Sequence, residues 1–456
     1  MMKSKLNMRT YFYSANTLKT LVIGLIILMI PTLGLSQTWS LEQCIDTAQT
    51  YNKTLQISKN NKTISDQKHL EAKANLIPKI NINAEYKYYN DLPTQLMPQS
   101  AFGGPEGVYK DTQFGVPHNI NSSIQMSVPL YNPQIYGAIK TTKIASELSE
   151  LQVQKTEEQL YYDISNLYYN AQILIHQKAF ADSNLVNTNR LLNNLKLLKE
   201  QLMVKGTDVS KVQLQADQLV MQQQLIQSNY EQVVNALKFS MGLSLEEDIQ
   251  VESEIKYESL SDYRNHSTLD MQITSTYNRI LNSDLKTLKN SRLPSVSLYG
   301  AYGTTGFGYT EKPNDFLDFY PLSFAGIQIA YPLFNGTVTL KKIKQKNIEI
   351  KNNELQLSLV EDQNSMQLKN ARNQMLISVA TIETSSSQIQ LAQSIYDQSI
   401  LQQKEGLATL SDVLLADSSL REAQQAYLTA IINYLKADLE LKKLSGNISV
   451  KNGEKN

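Results

Sequence analysis

The sequence predicts a mainly helical chain with two short pairs of membrane strands, built from one unit used twice. Three observations predict this. Landmark motifs return in the same order about 200 residues later. Two stretches of about 70 residues lack Pro and Gly after their first few positions and keep helical apolar spacing. Between the helical runs lie segments of strict apolar/polar alternation, and much of the tyrosine is gathered there.

The repeat is read from its boundaries. Ile124-Gln-Met-Ser-Val-Pro-Leu-Tyr-Asn132 returns as Ile327-Gln-Ile-Ala-Tyr-Pro-Leu-Phe-Asn335, an offset of 203. Leu76-Ile-Pro-Lys-Ile80 returns as Arg292-Leu-Pro-Ser-Val296. Lys205-Gly206 and Ala216-Asp217 are matched with Glu405-Gly406 and Ala416-Asp417, an offset of 200. Met241-Gly242 and Ser445-Gly446 close the last helical run of each unit. The expected units are residues 37–245 and 246–456, the second opening with a linker and ending in a short polar tail.

Residues 1–36 read as a signal peptide. Lys3, Lys5, Arg9 and Lys19 precede the apolar run Leu21 to Ile30, and Gly34 and Ser36 fit a small-residue cleavage site before Gln37. The whole chain balances 43 Lys and Arg against 43 Asp and Glu. Four of the basic residues and none of the acidic ones lie in residues 1–36, so the exported chain carries a net charge of −4. No later segment is apolar for long enough to be a membrane helix. The single Cys, Cys44, excludes a disulfide framework and a Cys-rich metal module. The charge balance gives no reason to expect nucleic acid.

Each unit is expected to open with a helix, over residues 41–76 and 262–292. A strand follows the Pro. Ile80, Ile82, Ala84, Tyr86 and Tyr88 alternate with Asn81, Asn83, Glu85 and Lys87. Loops are expected at 91–118 and 306–322. The second strand carries Ile124, Met126, Val128 and Leu130, and its counterpart Ile327, Ile329, Tyr331 and Leu333. The long helices follow over about 134–203 and 336–404, then a break at Gly206 or Gly406 and a helix back to Gly242 or Gly446. Seventy helical residues span about 105 Å, more than any compact domain holds. Two shorter helices stacked end to end match one long one, with 243–261 as the joint halfway.

The strands have one apolar and one polar face, which a wall between lipid and water requires. The windows 79–131 and 294–334 hold 10 of the 23 Tyr that follow residue 36, and such rings concentrate at membrane interfaces. Four strands cannot close a barrel, and an open edge in lipid leaves backbone groups unpaired. Several chains must therefore share one barrel.

These residues resemble a family. The signal peptide, the opening Ser40-Leu-Glu-Gln-Cys-Ile-Asp-Thr-Ala, the strand ends Val-Pro-Leu-Tyr-Asn and Tyr-Pro-Leu-Phe-Asn, and the segment Glu405-Gly-Leu-Ala-Thr-Leu-Ser-Asp-Val-Leu-Leu-Ala416 are similar to the TolC-like outer-membrane efflux proteins. The resemblance implies a trimeric twelve-stranded outer-membrane barrel continued by a periplasmic helical tunnel. It implies a passive conduit for efflux or type I secretion. The implied partners are two further copies, a periplasmic adaptor, an inner-membrane transporter of the RND, ABC or MFS class, and outer-membrane lipid.

The resemblance also places candidate sites. Lys205, Gly206, Thr207 and Glu405, Gly406, Leu407 are the expected adaptor contacts at the far tip. Asp412 is the expected acidic residue of the periplasmic aperture, with Leu415 standing where the family's type member has a second Asp. Ala408 replaces that member's basic residue. A hydrophobic Leu415 ring is the alternative to a charged one.

No enzyme or cofactor is expected. His69, His118, His176 and His266 are far apart in sequence, and no paired metal-ligand motif occurs. Gly300 to Gly306 is Gly-rich but precedes no helix, so it is not a phosphate loop. A periplasmic coiled-coil scaffold without a pore is the competing reading, and it leaves the alternating strands without purpose.

Overall fold

The computed structural model describes residues 38–256, 263, 266–309 and 318–448. Residues 1–36, expected from the sequence to be a signal peptide, lie outside them. Strand β1 (Thr38–Trp39) leads into α1 (Leu41–Tyr51) and α2 (Lys53–Ala74). Then come β2 (Lys79–Tyr88), the hairpin β3 (Thr94–Pro98) and β4 (Tyr109–Gln113), and β5 (His118–Tyr131). Helix α3 (Pro133–Glu200) runs out and α4 (Gly206–Met241) runs back to β6 (Gln250–Val251). The second half places α5 (Leu269–Asn290), β7 (Ser295–Gly308), β8 (Asp318–Ala330), α6 (Val338–Lys404) and α7 (Leu410–Leu444) in the same order.

The sequence explains each start. Ser40 and Gln43 close a capping box on α1. Asn132 accepts the amides of Gln134 and Ile135, with Pro133 at the first helical position of α3. Thr409 caps α7 in a second box. The 68 residues of α3 and 67 of α6 carry the chain about 100 Å from the sheet.

Four columns result. The antiparallel sheet has the order β2-β5-β7-β8. Above the midpoint the helices follow the same order, α2-α3-α5-α6, and beyond it α4-α3-α7-α6. Each strand therefore continues into its own helical column. The core is the seam between columns, with Leu237, Met241, Ile164 and Cys44 fully buried at one level and Leu195, Val212, Val413 and Leu420 at another.

Two joints make the short helices behave as one. The first expected helix, 41–76, is broken at Asn52, which ends α1 and caps α2 through Leu55 N–H at 2.8 Å. Gly242, at φ +78°, ends α4 against this break, where a Cβ would come 2.3 Å from Tyr51 O. Only a residue without Cβ accepts both the left-handed turn and that approach. In the second half, His266 N–H donates to Ser445 O at 2.9 Å as α7 ends below α5. A strap crosses the midpoint: β1 pairs in parallel with β6, Tyr168 donates to Trp39 O at 2.9 Å, and Gln172 donates to Glu252 O and Glu254 O.

Candidate functional site

The two ends of the columns are the candidate sites. At the sheet end, ladder register sorts side chains into two faces. Ile80, Met126, Gly300 and Ala325 form one row across the apolar face, and Tyr86, Ile120, Gly306 and Phe319 another. The opposite face holds Asn81-Gln125-Ala301-Phe324 and Glu85-Asn121-Thr305-Tyr320. Thr305 donates to Asn121 across this face at 2.9 Å. Among the described residues the outer strands β2 and β8 each have one neighbour, and nearly all their side chains are exposed.

At the helical end, both long helices stop in the same way. The C-terminal turn of α3 closes with Met203 N–H on Leu198 O at 2.9 Å, and that of α6 with Leu407 N–H on Gln402 O at 2.8 Å. The residue in the left-handed conformation is Gly406 at φ +74° after α6, but Leu202 at φ +58° after α3. This corrects the matching of Lys205-Gly206 with Glu405-Gly406. Leu202 corresponds to Gly406 and Asp208 to Asp412, an offset of 204 that Gly242 and Gly446 share. Gly206 does not reverse the chain; it is the first residue of α4. The glycine misled because the left-handed position was held by a leucine instead.

Lys205, Gly206, Thr207, Glu405, Gly406 and Leu407 are all exposed at these turns. Leu202 and Met203, 93% and 69% exposed, sit beside them and were missed; the offset of the closing glycines was the signal that finds them.

Asp412 is exposed, but its carboxylate is engaged. It accepts Thr409 N–H at 2.8 Å and Thr409 O–H at 2.7 Å. These bonds hold its carboxyl below the ordinary aspartate range. Leu415 is 70% exposed one turn on, between exposed Ser411 and Ser419. Two residues further, Asp417 is buried. It accepts from Gln215 of α4, which links the two helical hairpins, and pairs with Arg421 of its own helix at 3.0 Å. Burial raises the Asp417 carboxyl, and Arg421 and then Gln215 pull it back. Among the described residues, no group of three His, Cys, Asp or Glu is placed to hold a metal ion. None of the described helices is long and apolar enough to cross a membrane.

Residues 274–447 match the outer membrane efflux protein family. The chain is 20% identical over 429 residues to outer membrane protein TolC of Salmonella enteritidis, covering 91% of this chain and 83% of that one.

The chain resembles the TolC-like outer membrane efflux proteins.

Solved structures share its fold. VceC of Vibrio cholerae superposes with a TM-score of 0.72 at 17% identity, over 89% of this chain and 96% of that one. The CmeC channel of Campylobacter jejuni gives 0.72 at 13% identity, over 97% and 94%. What the chain shares with these structures is the fold, a strand sheet continued by long helical columns.

Proposed function

We propose that three copies of this chain close one twelve-stranded barrel and one helical tunnel, forming the passive conduit of a tripartite efflux or type I secretion system. The observation that supports this reading is the pair of open edges. Column one ends the sheet at β2, column four ends it at β8, and both edges run the full length of the molecule. An unpaired strand edge is not tolerated in lipid. A second copy supplies β8 to β2 in antiparallel sense, and closure leaves no edge.

The helical edges support the same partner. Exposed apolar side chains recur along the two outer columns: Ile57 and Ile64 on α2, Leu214, Met221 and Leu225 on α4, and Leu355, Leu359 and Met366 on α6. Spacings of seven and four are those of helices that pack side by side. Column three exposes few large apolar residues, Tyr277 and Leu415 among them.

We read 37–245 and 246–456 as the duplicated units of this conduit. The tips, with Lys205, Gly206, Thr207, Glu405, Gly406 and Leu407, would receive the adaptor, and an inner-membrane transporter would supply energy. Asp412 and Leu415 would ring the periplasmic aperture. The test is conductance: purified protein in a planar bilayer forms ion channels, and photo-crosslinkers at the six tip positions capture the adaptor. A protein that never conducts is not the conduit.

A further inference from the structure

The water-facing side of the sheet is not uniformly polar. Its β2–β5 half carries Asn81, Asn83, Asn121, Gln125 and Ser123, as a wetted wall should. Its β7–β8 half carries rings. Tyr299 meets Phe324 edge-on with centroids 6.0 Å apart, and Phe307 meets Tyr320 at 5.9 Å. Phe324, Tyr320 and the intervening Leu322 are 48%, 56% and 49% exposed. The register fixes the side: Phe324 lies in the row of Asn81 and Gln125, and Tyr320 in the row of Glu85 and Asn121. These rings are therefore not on the lipid face, where a membrane girdle would sit. Small residues separate them, with Ala301 opposite Phe324 and Gly303 opposite Leu322, so ring faces stay uncovered. Charge on this face is sparse and balanced, Lys79 and Lys87 against Glu85 and Asp318.

We propose that the β7–β8 stripe is a binding track for uncharged aromatic small molecules, formed by Tyr299, Phe307, Tyr320, Leu322 and Phe324. The inference rests on the conduit reading, which turns this face to the lumen. A balanced wall gives no selection for ions of one sign, unlike pores lined by rings of like charge. Exposed rings beside amides offer stacking to an aromatic solute and hydrogen bonds to its polar substituents. In a closed trimer, aromatic and amide stripes alternate around the lumen, and a solute exchanges water for ring contact as it passes.

The test uses single channels in planar bilayers with phenyl β-D-glucoside, and methyl β-D-glucoside as the ring-free match. The phenyl sugar is expected to add reversible current noise at concentrations where the methyl sugar adds none. Tyr320→Ser with Phe324→Ser is expected to weaken that binding about 3- to 10-fold while open conductance changes little, in line with the ~0.5–1.5 kcal/mol of an aromatic contact. Phe324→Leu, which keeps apolar bulk without the ring, should weaken it in the same direction and guards against misfolding of the double variant. Equal noise from both sugars, or phenyl-sugar noise unchanged in the variants, overturns the track. Channels that conduct but show no ring-dependent noise overturn the track alone. A protein that does not conduct at all overturns the conduit reading, and this inference with it.

Discussion

Asn52 donates its side-chain amide to the carbonyl of Ser240 at 2.7 Å, while its side-chain oxygen accepts Leu55 N–H at 2.8 Å. One buried side chain thus starts α2 and holds the end of α4 beneath it. Asn52→Ala removes both bonds and is expected to cost about 1–3 kcal/mol. Asn52→Asp keeps the cap but loses the donor, so its thermal unfolding in detergent should fall between the two. Gly242→Ala should be worse than either, since its Cβ has no room beside Tyr51 O.

Leu202→Gly should stabilise the tip. Leu202 holds φ +58° and is 93% exposed, so it bears the left-handed cost with little packing in return. Relief of about 1 kcal/mol is expected, and Gly406→Leu should lose a similar amount. Hydrogen exchange in the last turn of α3 and the first of α4 reads this directly.

Asp417→Ala leaves Arg421 and Gln215 facing an empty site. The loss is expected at about 2–3 kcal/mol, below the fully buried range because Arg421 keeps some water. Asp417→Asn separates charge from shape. The folded-state pKa of Asp417 is raised, so the folded form binds its proton more tightly than the unfolded chain. Its contribution is fully present below 3.8 and is lost as pH rises through the raised folded value. Wild type should therefore gain stability relative to Asp417→Asn as pH falls through that window, measured by denaturant midpoints at successive pH.

Asp412→Ala, alone or with Leu415→Ala, is expected to raise single-channel conductance. Thr409→Ala is the control, because it loosens the Asp412 carboxylate from the helix cap without removing it. If Thr409→Ala raises conductance as much as Asp412→Ala, the cap and not the charge sets the aperture. Unchanged conductance in the Asp412 and Leu415 variants removes both residues from the gate.

Much of the fold was legible because its signals are long and local. The helix expected over 134–203 occupies Pro133–Glu200, and the alternation around Ile80 and Ile124 is that of β2 and β5. What was not legible depends on distant partners. Asn52 is one polar residue in a polar helix until Ser240 O comes near it. The β3–β4 hairpin lies inside the stretch read as loop 91–118, its five-residue strands too short and too rich in neighbouring Gly and Pro to show a period. Strand β7 also runs on to Gly308, past the expected loop start at 306, because glycines on a strand read as loop until the register is known. Asp417 was only a repeat landmark; its spacing of four from Arg421 hinted at a pair, but its hydrogen bond from Gln215 comes from the other hairpin.

The central claim is that one chain provides four columns of a wall and needs other copies to enclose a lumen. The mass of the protein extracted from outer membranes in detergent, by sedimentation equilibrium with the detergent density-matched, tests it most directly. Three chains per particle is the predicted result. A monomer, or a protein that stays in the soluble fraction when outer membranes are pelleted, would contradict it.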